Sequence, residues 1–139
     1  MSDAHDLAHK AAEAMWKDDA ASQALGMEIL EVGPGMAKLS MTITKDMVNG
    51  HGTAHGGFIF TLADSAFAFA CNSYNERAVA AHCSISYIRP GKKDKKLIAT
   101  AHEVSRTGRS GIYDIEIVQD NEVIAHFRGH SRLIGGSVF

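Results

Sequence analysis

The spacing of apolar residues changes along this chain in an order that reads helix, strands, helix, strands. Leu7, Ala11, Ala14 and Met15 recur at helical spacing within residues 4 to about 17, which predicts an amphipathic helix, and residues 20–25 predict a second short helical turn. Residues 27–32 and 36–43 have strand character and flank Gly33-Pro34-Gly35, whose turn chemistry predicts a hairpin. A loop is expected over residues 44–55. From Gly57 to about Cys71 apolar side chains occupy nearly every face and no Pro intervenes, so the segment is predicted as a helix enclosed by protein. It is too short, and too broken by Thr61, Asp64 and Ser65, to span a bilayer. Residues 78–89, 96–104, 111–119 and 123–133 then read as strands, with alternation clearest in Tyr113-Asp114-Ile115-Glu116-Ile117. One long helix with few helices after it excludes a repeated βαβ pattern and leaves an antiparallel α+β sheet.

The lone acidic residue in that apolar helix, Asp64, needs a physical reason. A carboxyl set among Phe and Ala side chains without full hydration resists ionisation, so its pKa is expected to rise towards the range of a general base or nucleophile. Thr61, Asp64 or Ser65, and Asn72 recur at three- to four-residue spacing along one line, which suits the wall of a cleft. The competing reading is an Asp that caps a turn or pairs with a basic residue. Ahead of the helix stands Asn49-Gly50-His51-Gly52-Thr53-Ala54-His55-Gly56-Gly57. A helix start leaves amide N–H groups unpaired and carries partial positive charge, and Gly56-Gly57 remove the side chains that would keep a ligand away. Such a place can bind an oxyanion. Alone, a Gly-Gly entry is more often a tight turn for close packing; the combination with Asp64 makes it a candidate site.

Composition narrows the class. At 139 residues and 45% hydrophobic content the chain fits one domain, residues 1–139, able to bury a full helix. A net charge of −2, with both signs interspersed, gives no nucleic-acid footprint. The polar, acidic start Met1-Ser2-Asp3-Ala4-His5-Asp6 lacks the basic and apolar regions of a secretory signal, so the cytoplasm is expected. Cys71 and Cys83 lack redox or zinc spacing and read as small buried hydrophobes. His51/His55 and His126/His130 have four-residue spacing but no convincing helix and no third ligand, so no metal is expected. The run Lys92-Lys93-Asp94-Lys95-Lys96 reads as a solvated turn between strands. Gly50-x-Gly52 lacks the βαβ unit of a dinucleotide loop, and neither a Gly-Lys-Ser/Thr phosphate loop nor a nucleophile-elbow serine is present.

His55-Gly56-Gly57 followed by Leu62-Ala63-Asp64, with Asn49-Gly50-His51 upstream and Tyr87-Ile88-Arg89-Pro90-Gly91 downstream, resembles the hotdog-fold acyl-CoA thioesterases, most closely the phenylacetic-acid-degradation (PaaI) branch. The likeness runs from about Ala24 to Gly136 and includes Ala68-Phe69-Ala70-Cys71-Asn72 and Phe127-Arg128-Gly129. It implies a long helix wrapped by a curved antiparallel sheet, and no cofactor. By matching position, it implies that Asp64 is the catalytic carboxylate, as nucleophile or as general base for water. Gly56 would supply the N–H that polarises the thioester carbonyl, and His55 and Asn49 would orient the site or the attacking water. Gly57 belongs to the same entry. Arg89, Pro90 and Lys92, and Arg106, Thr107, Gly108 and Arg109, fall in regions that resemble the family's coenzyme A contacts. Some relatives place a Ser hydroxyl early in the strand after the helix; here that part reads Ala80-Ala81-His82-Cys83-Ser84, and none is assigned.

Three activities remain open at this point. Thioester hydrolysis is favoured, because an oxyanion-binding helix start and a perturbed carboxylate supply what acyl transfer to water needs. A hydroxyacyl-thioester dehydratase would need a Pro-rich His motif that is absent, and a non-catalytic acyl-CoA binding module is the third. The branch implies small aryl-acyl thioesters, with Phe58, Phe60 and Tyr74 as candidate lining. Gly56 and Asp64 stand eight residues apart, roughly 12 Å along a helix axis, so one thioester can hardly meet both from one chain. A homodimer with shared sites is therefore expected, the alternative being a chain that bends after Gly57 and brings its own groups together, and the resemblance implies that such dimers pair again as a dimer of dimers.

Overall fold

The computed structural model describes residues 3–139. Two helices come first, α1 (Asp3–Asp18) and α2 (Ala20–Ala24), then the strands β1 (Glu28–Gly33) and β2 (Met36–Thr42). The long helix α3 (Gly56–Cys71) follows, and β3 (Ala78–Tyr87), β4 (Lys96–Thr107), β5 (Ser110–Gln119) and β6 (Glu122–Leu133) complete the chain. All strand pairings are antiparallel, in the order β1-β2-β4-β5-β6-β3. This is the α+β hotdog arrangement, in which a curved sheet wraps one helix.

Period-2 alternation gives the sheet its apolar face. Leu39 and Met41 of β2, Leu97, Ala99 and Ala101 of β4, Tyr113, Ile115 and Ile117 of β5, and Ala125 and Phe127 of β6 are buried against Leu62, Ala63, Ala66, Phe67 and Ala70 of α3. Gly129 marks the closest approach, because a Cβ there would lie 2.8 Å from the Phe67 ring. Met1 and Ser2, part of the polar start, lie outside the described residues. Among the described residues no helix is long and apolar enough to cross a membrane.

The strand ends differ from the expected ones for local reasons. β4 continues three residues past 104, because an irregularity between Glu103 and Ser105 breaks the alternation but restores pairing with β5. β3 stops at Tyr87 rather than 89: Ile88 and Arg89 both donate their N–H to the Ile124 carbonyl, which bends the chain ahead of Pro90. The 44–55 loop contains a single 3-10 turn, Lys45–Met47. The Pro34-Gly35 turn joins β1 to β2 with Gly35 at φ +67°, as a Gly-containing hairpin requires. Among the described residues the outer edge formed by β3 carries no strand partner.

Candidate active site

His55 caps α3 and consumes most of the free donors at its start. Its Nδ1 accepts from the Gly57 N–H at 2.9 Å, and its carbonyl accepts from the Phe58 and Ile59 N–H groups at 3.0 and 3.5 Å. The Gly56 N–H has no acceptor among the described residues. It is thus a lone donor on the positive end of a helix, the chemistry an oxyanion needs. The next peptide is pinned at both ends, since Tyr87 Oη donates to the Gly56 carbonyl at 2.9 Å while His55 holds the Gly57 N–H. A Cβ at Gly56 would lie 3.0 Å from the Tyr87 ring, so no side chain fits there unless Tyr87 moves. Accepting at Nδ1 leaves the ring proton of neutral His55 on Nε2, so the exposed His55 ring offers a donor rather than a base.

Asn49 Oδ1 accepts from His51 N–H, Thr53 N–H and Thr53 Oγ1 at 3.0, 3.2 and 3.3 Å, which closes the loop and leaves Nδ2 uncommitted among the described residues. Asn49, Gly56, Tyr87, Ile88, Arg89 and Pro90 line one cavity of about 410 Å³, within the roughly 300–1,000 Å³ usual for small-molecule sites. Arg89 is held by Nη1 donating to the Val123 carbonyl at 2.8 Å and by Glu122 at 3.2 Å from Nε. Lys92 is anchored through its backbone, which exchanges hydrogen bonds with the Gln119 amide at 2.7 and 3.0 Å, and its side chain is exposed.

Asp64 sits two turns further along α3. Burial, and secondly the nearby Asp19 carboxylate, push its carboxyl above the usual Asp range. No hydrogen-bond donor meets it among the described residues. The other polar side chains on its line are committed to structure. Thr61 Oγ1 donates to the Gly57 carbonyl at 2.8 Å, Ser65 Oγ lies 2.8 Å from Ser22 Oγ, and Asn72 closes the helix by donating to the Ala68 and Ala78 carbonyls and accepting from Ala78 N–H. Among the described residues, then, Thr61, Ser65 and Asn72 have hydrogen-bond partners and the Asp64 carboxylate has none. Both free thiols are poor nucleophiles: burial pushes Cys71 up to about 12 and raises Cys83.

The remaining candidates divide between the two ends of α3. Arg106, Thr107, Gly108 and Arg109 form the β4–β5 hairpin. There the Arg106 guanidinium stacks 3.6 Å from the Tyr74 ring centroid and lies 3.8 Å from Glu76, just beyond the C-terminal end of α3. Within one chain these residues are remote from Gly56 and Arg89. Of the aromatic residues read as acyl-group lining, Tyr74 is held in this hairpin cluster and donates to Glu103, and Phe60 packs on Phe127 at 5.2 Å. Phe58 lies edge-on to His55 at 6.1 Å, at the start of α3. Among the described residues no group of three or more His, Cys, Asp or Glu is placed to hold a metal ion; His126 lies 3.9 Å from Asp114, and His130 stacks on His82 at 5.5 Å.

Sequence reasoning left three residues near these groups unassigned. Tyr87 was legible only as part of a motif, because its hydroxyl acts on a residue 31 positions away. Asp19 and Ser22 have the spacing of a helix N-cap and its first turn, and Asp19 Oδ1 indeed accepts from Ser22 N–H at 3.0 Å; nothing in that spacing reports their contact with α3.

Comparison with known proteins places this geometry. Residues 51–125 match the family model described as the thioesterase superfamily. The chain is 46% identical to the acyl-coenzyme A thioesterase PaaI of Escherichia coli over 95% of this chain and 97% of that one. The solved structure of the E. coli PaaI protein from the phenylacetic acid degradation operon superposes with a TM-score of 0.93, at 45% identity, covering 95% of this chain and 96% of the other. A mutant of the phenylacetic acid degradation protein PaaI from Thermus thermophilus matches with a TM-score of 0.79 and 38% identity, over 81% and 97% of the two chains.

Proposed function

We propose, from the premise that this chain belongs to the thioesterase superfamily and is an acyl-CoA thioesterase, that it hydrolyses small aryl-acyl thioesters such as phenylacetyl-CoA or hydroxyphenylacetyl-CoA to the free acid and coenzyme A. The observation that carries the mechanism is the pair of unspent groups on α3, the Gly56 N–H and the Asp64 carboxylate. The thioester carbonyl oxygen accepts from Gly56 N–H, whose bond strengthens as negative charge develops on that oxygen. Asp64 either removes a proton from the attacking water or attacks the carbonyl carbon itself; in both routes the carbon–sulfur bond breaks and the thiolate leaves as the coenzyme A thiol after taking up a proton, and in the second route water then hydrolyses the acyl–Asp64 anhydride, releasing the acid and restoring the carboxylate. The His55 Nε2–H and the Asn49 Nδ2 are donors positioned beside this centre.

The two α3 groups lie roughly 12 Å apart on one straight helix, so we assign each site to two subunits. The unpartnered β3 edge supports this. Val79, Tyr87 and Ile88 there are 46, 52 and 50% exposed, unusual for large apolar side chains along an open edge. Antiparallel pairing of two β3 strands across a two-fold axis would continue the sheet and set two α3 helices side by side. In that arrangement the Arg106–Arg109 hairpin of one subunit approaches the Arg89–Lys92 region of the other, offering cations to the phosphates of coenzyme A. A further pairing of dimers and a cytoplasmic location complete this reading.

A panel of acyl-CoA thioesters assayed for free-thiol release tests the substrate assignment. Arylacetyl-CoAs are expected to have the highest kcat/KM, and a decisive preference for long aliphatic chains would overturn the aryl assignment. His55→Ala is expected to lose less turnover than Asp64→Asn, because it removes a cap and a donor but leaves the carboxylate in place. A larger loss at His55 in the same assay would return histidine to the position of general base.

A further inference from the structure

We infer that Asp19 is a positioning residue of the hydrolytic site: linked through Ser22 to Ser65, the residue after Asp64 on α3, it fixes a carboxylate against the stretch of helix that carries Asp64. The inference rests on Asp64 being the reactive carboxylate proposed above.

The connection is a directed chain of hydroxyl groups. Ser22 Oγ has one proton, and it goes to Asp19 Oδ2 at 2.7 Å. Ser65 Oγ, 2.8 Å from Ser22 Oγ, must therefore be the donor in the second link. Asp19 Oδ1 is held as well, by Ser22 N–H at 3.0 Å. Both carboxylate oxygens are thus fixed by a serine that is only 1% exposed and is bonded to the residue after Asp64 on α3. A surface carboxylate would need none of this, since an N-cap is complete with the Oδ1 contact alone. Asp19 and Ser22 belong to the N-terminal helical segment, outside residues 51–125 that match the superfamily model.

The charge acts on Asp64 by simple repulsion. Of the titratable groups facing Asp64, Cys71 on the same helix and Cys83 on β3 stay protonated thiols near neutral pH, which leaves Asp19 as the fixed negative charge among them. A neighbouring carboxylate disfavours a second negative charge, so Asp64 holds its proton to higher pH and is a stronger base once it has lost it.

Asp19→Asn separates the charge from the cap, because the Asn side-chain oxygen still accepts from Ser22. With phenylacetyl-CoA as substrate, the acid limb of the kcat/KM profile is expected to move to lower pH, with a few-fold lower kcat on the plateau and an unchanged KM. A merely structural role would not move the limb. Ser22→Ala, which removes the Oδ2 hydrogen bond and the link to Ser65 but keeps the backbone cap, is expected to shift the limb in the same direction by less, and it decides the matter should Asp19→Asn fail to fold. A profile for Asp19→Asn that superimposes on wild type, beside an inactive Asp64→Asn, overturns this inference alone. Near-wild-type turnover by Asp64→Asn overturns both readings together.

Discussion

Asp64→Asn is expected to abolish thiol release while leaving a folded protein that still binds acyl-CoA. Asn matches the shape of Asp but neither attacks a carbonyl nor accepts a proton from water, so the loss should reach at least the order of 10²–10⁴-fold that a positioned base contributes. The surroundings of Asp64 say why the fold should survive. Its carboxylate receives no hydrogen bond among the described residues, so the substitution strands no donor. Burial and Asp19 both disfavour the ionised form in the folded protein. At neutral pH, therefore, replacing the ion with a neutral amide removes an unfavourable term, and the melting temperature should be unchanged or raised. A structural Asp behaves in the opposite way, losing stability while turnover per folded molecule persists. Thermal melts and calorimetric titration with coenzyme A, alongside the thiol assay, separate the two outcomes, and near-wild-type turnover would remove Asp64 from the chemistry.

That contrast between reactive and structural groups was only partly visible in the sequence. The 3.6 and 2.0 periods placed every helix and strand within a few residues, since burial against a sheet is what those periods record. The errors fall where pairing overrides pattern. Beyond Val104, β4 is exposed on both faces yet remains a strand because β5 pairs with it as far as Thr107. Within the site, His55 and Asn49 entered through the resemblance alone, and the contacts they make are local ones: His55 accepts from Gly57 two positions on, and Asn49 closes its own loop. Tyr87 with Gly56, and Ser22 with Ser65, meet across 31 and 43 residues, and such pairs follow from sheet curvature and helix docking rather than from spacing. For the same reason spacing did not report that Phe60 packs on Phe127 or that Arg106 stacks on Tyr74.

The proposed sharing of sites between subunits leads to the second large effect, a recovery of activity from two inactive proteins. Gly56→Val should be inactive, because its Cβ would begin 3.0 Å from the Tyr87 ring and its branches would crowd the one free N–H of the helix start. Asp64→Asn is inactive for an unrelated reason and keeps that N–H. If each site takes Gly56 from one chain and Asp64 from the other, a mixed dimer joins the intact Gly56 of the Asp64→Asn chain to the intact Asp64 of the Gly56→Val chain. Its second site carries both defects. Free exchange of equal amounts makes about half the dimers mixed, so activity should return to roughly a quarter of the wild-type level per site. Neither protein alone should show this, and the recovery should follow the kinetics of subunit exchange. Placing both substitutions in one chain and mixing it with wild type gives the complementary measurement, since every mixed dimer then has one defective group in each site and activity should fall below the wild-type fraction present. Mixed dimers demonstrated by mass spectrometry but inactive would mean that the chain brings its own Gly56 and Asp64 to one substrate, against the roughly 12 Å that the straight helix sets between them.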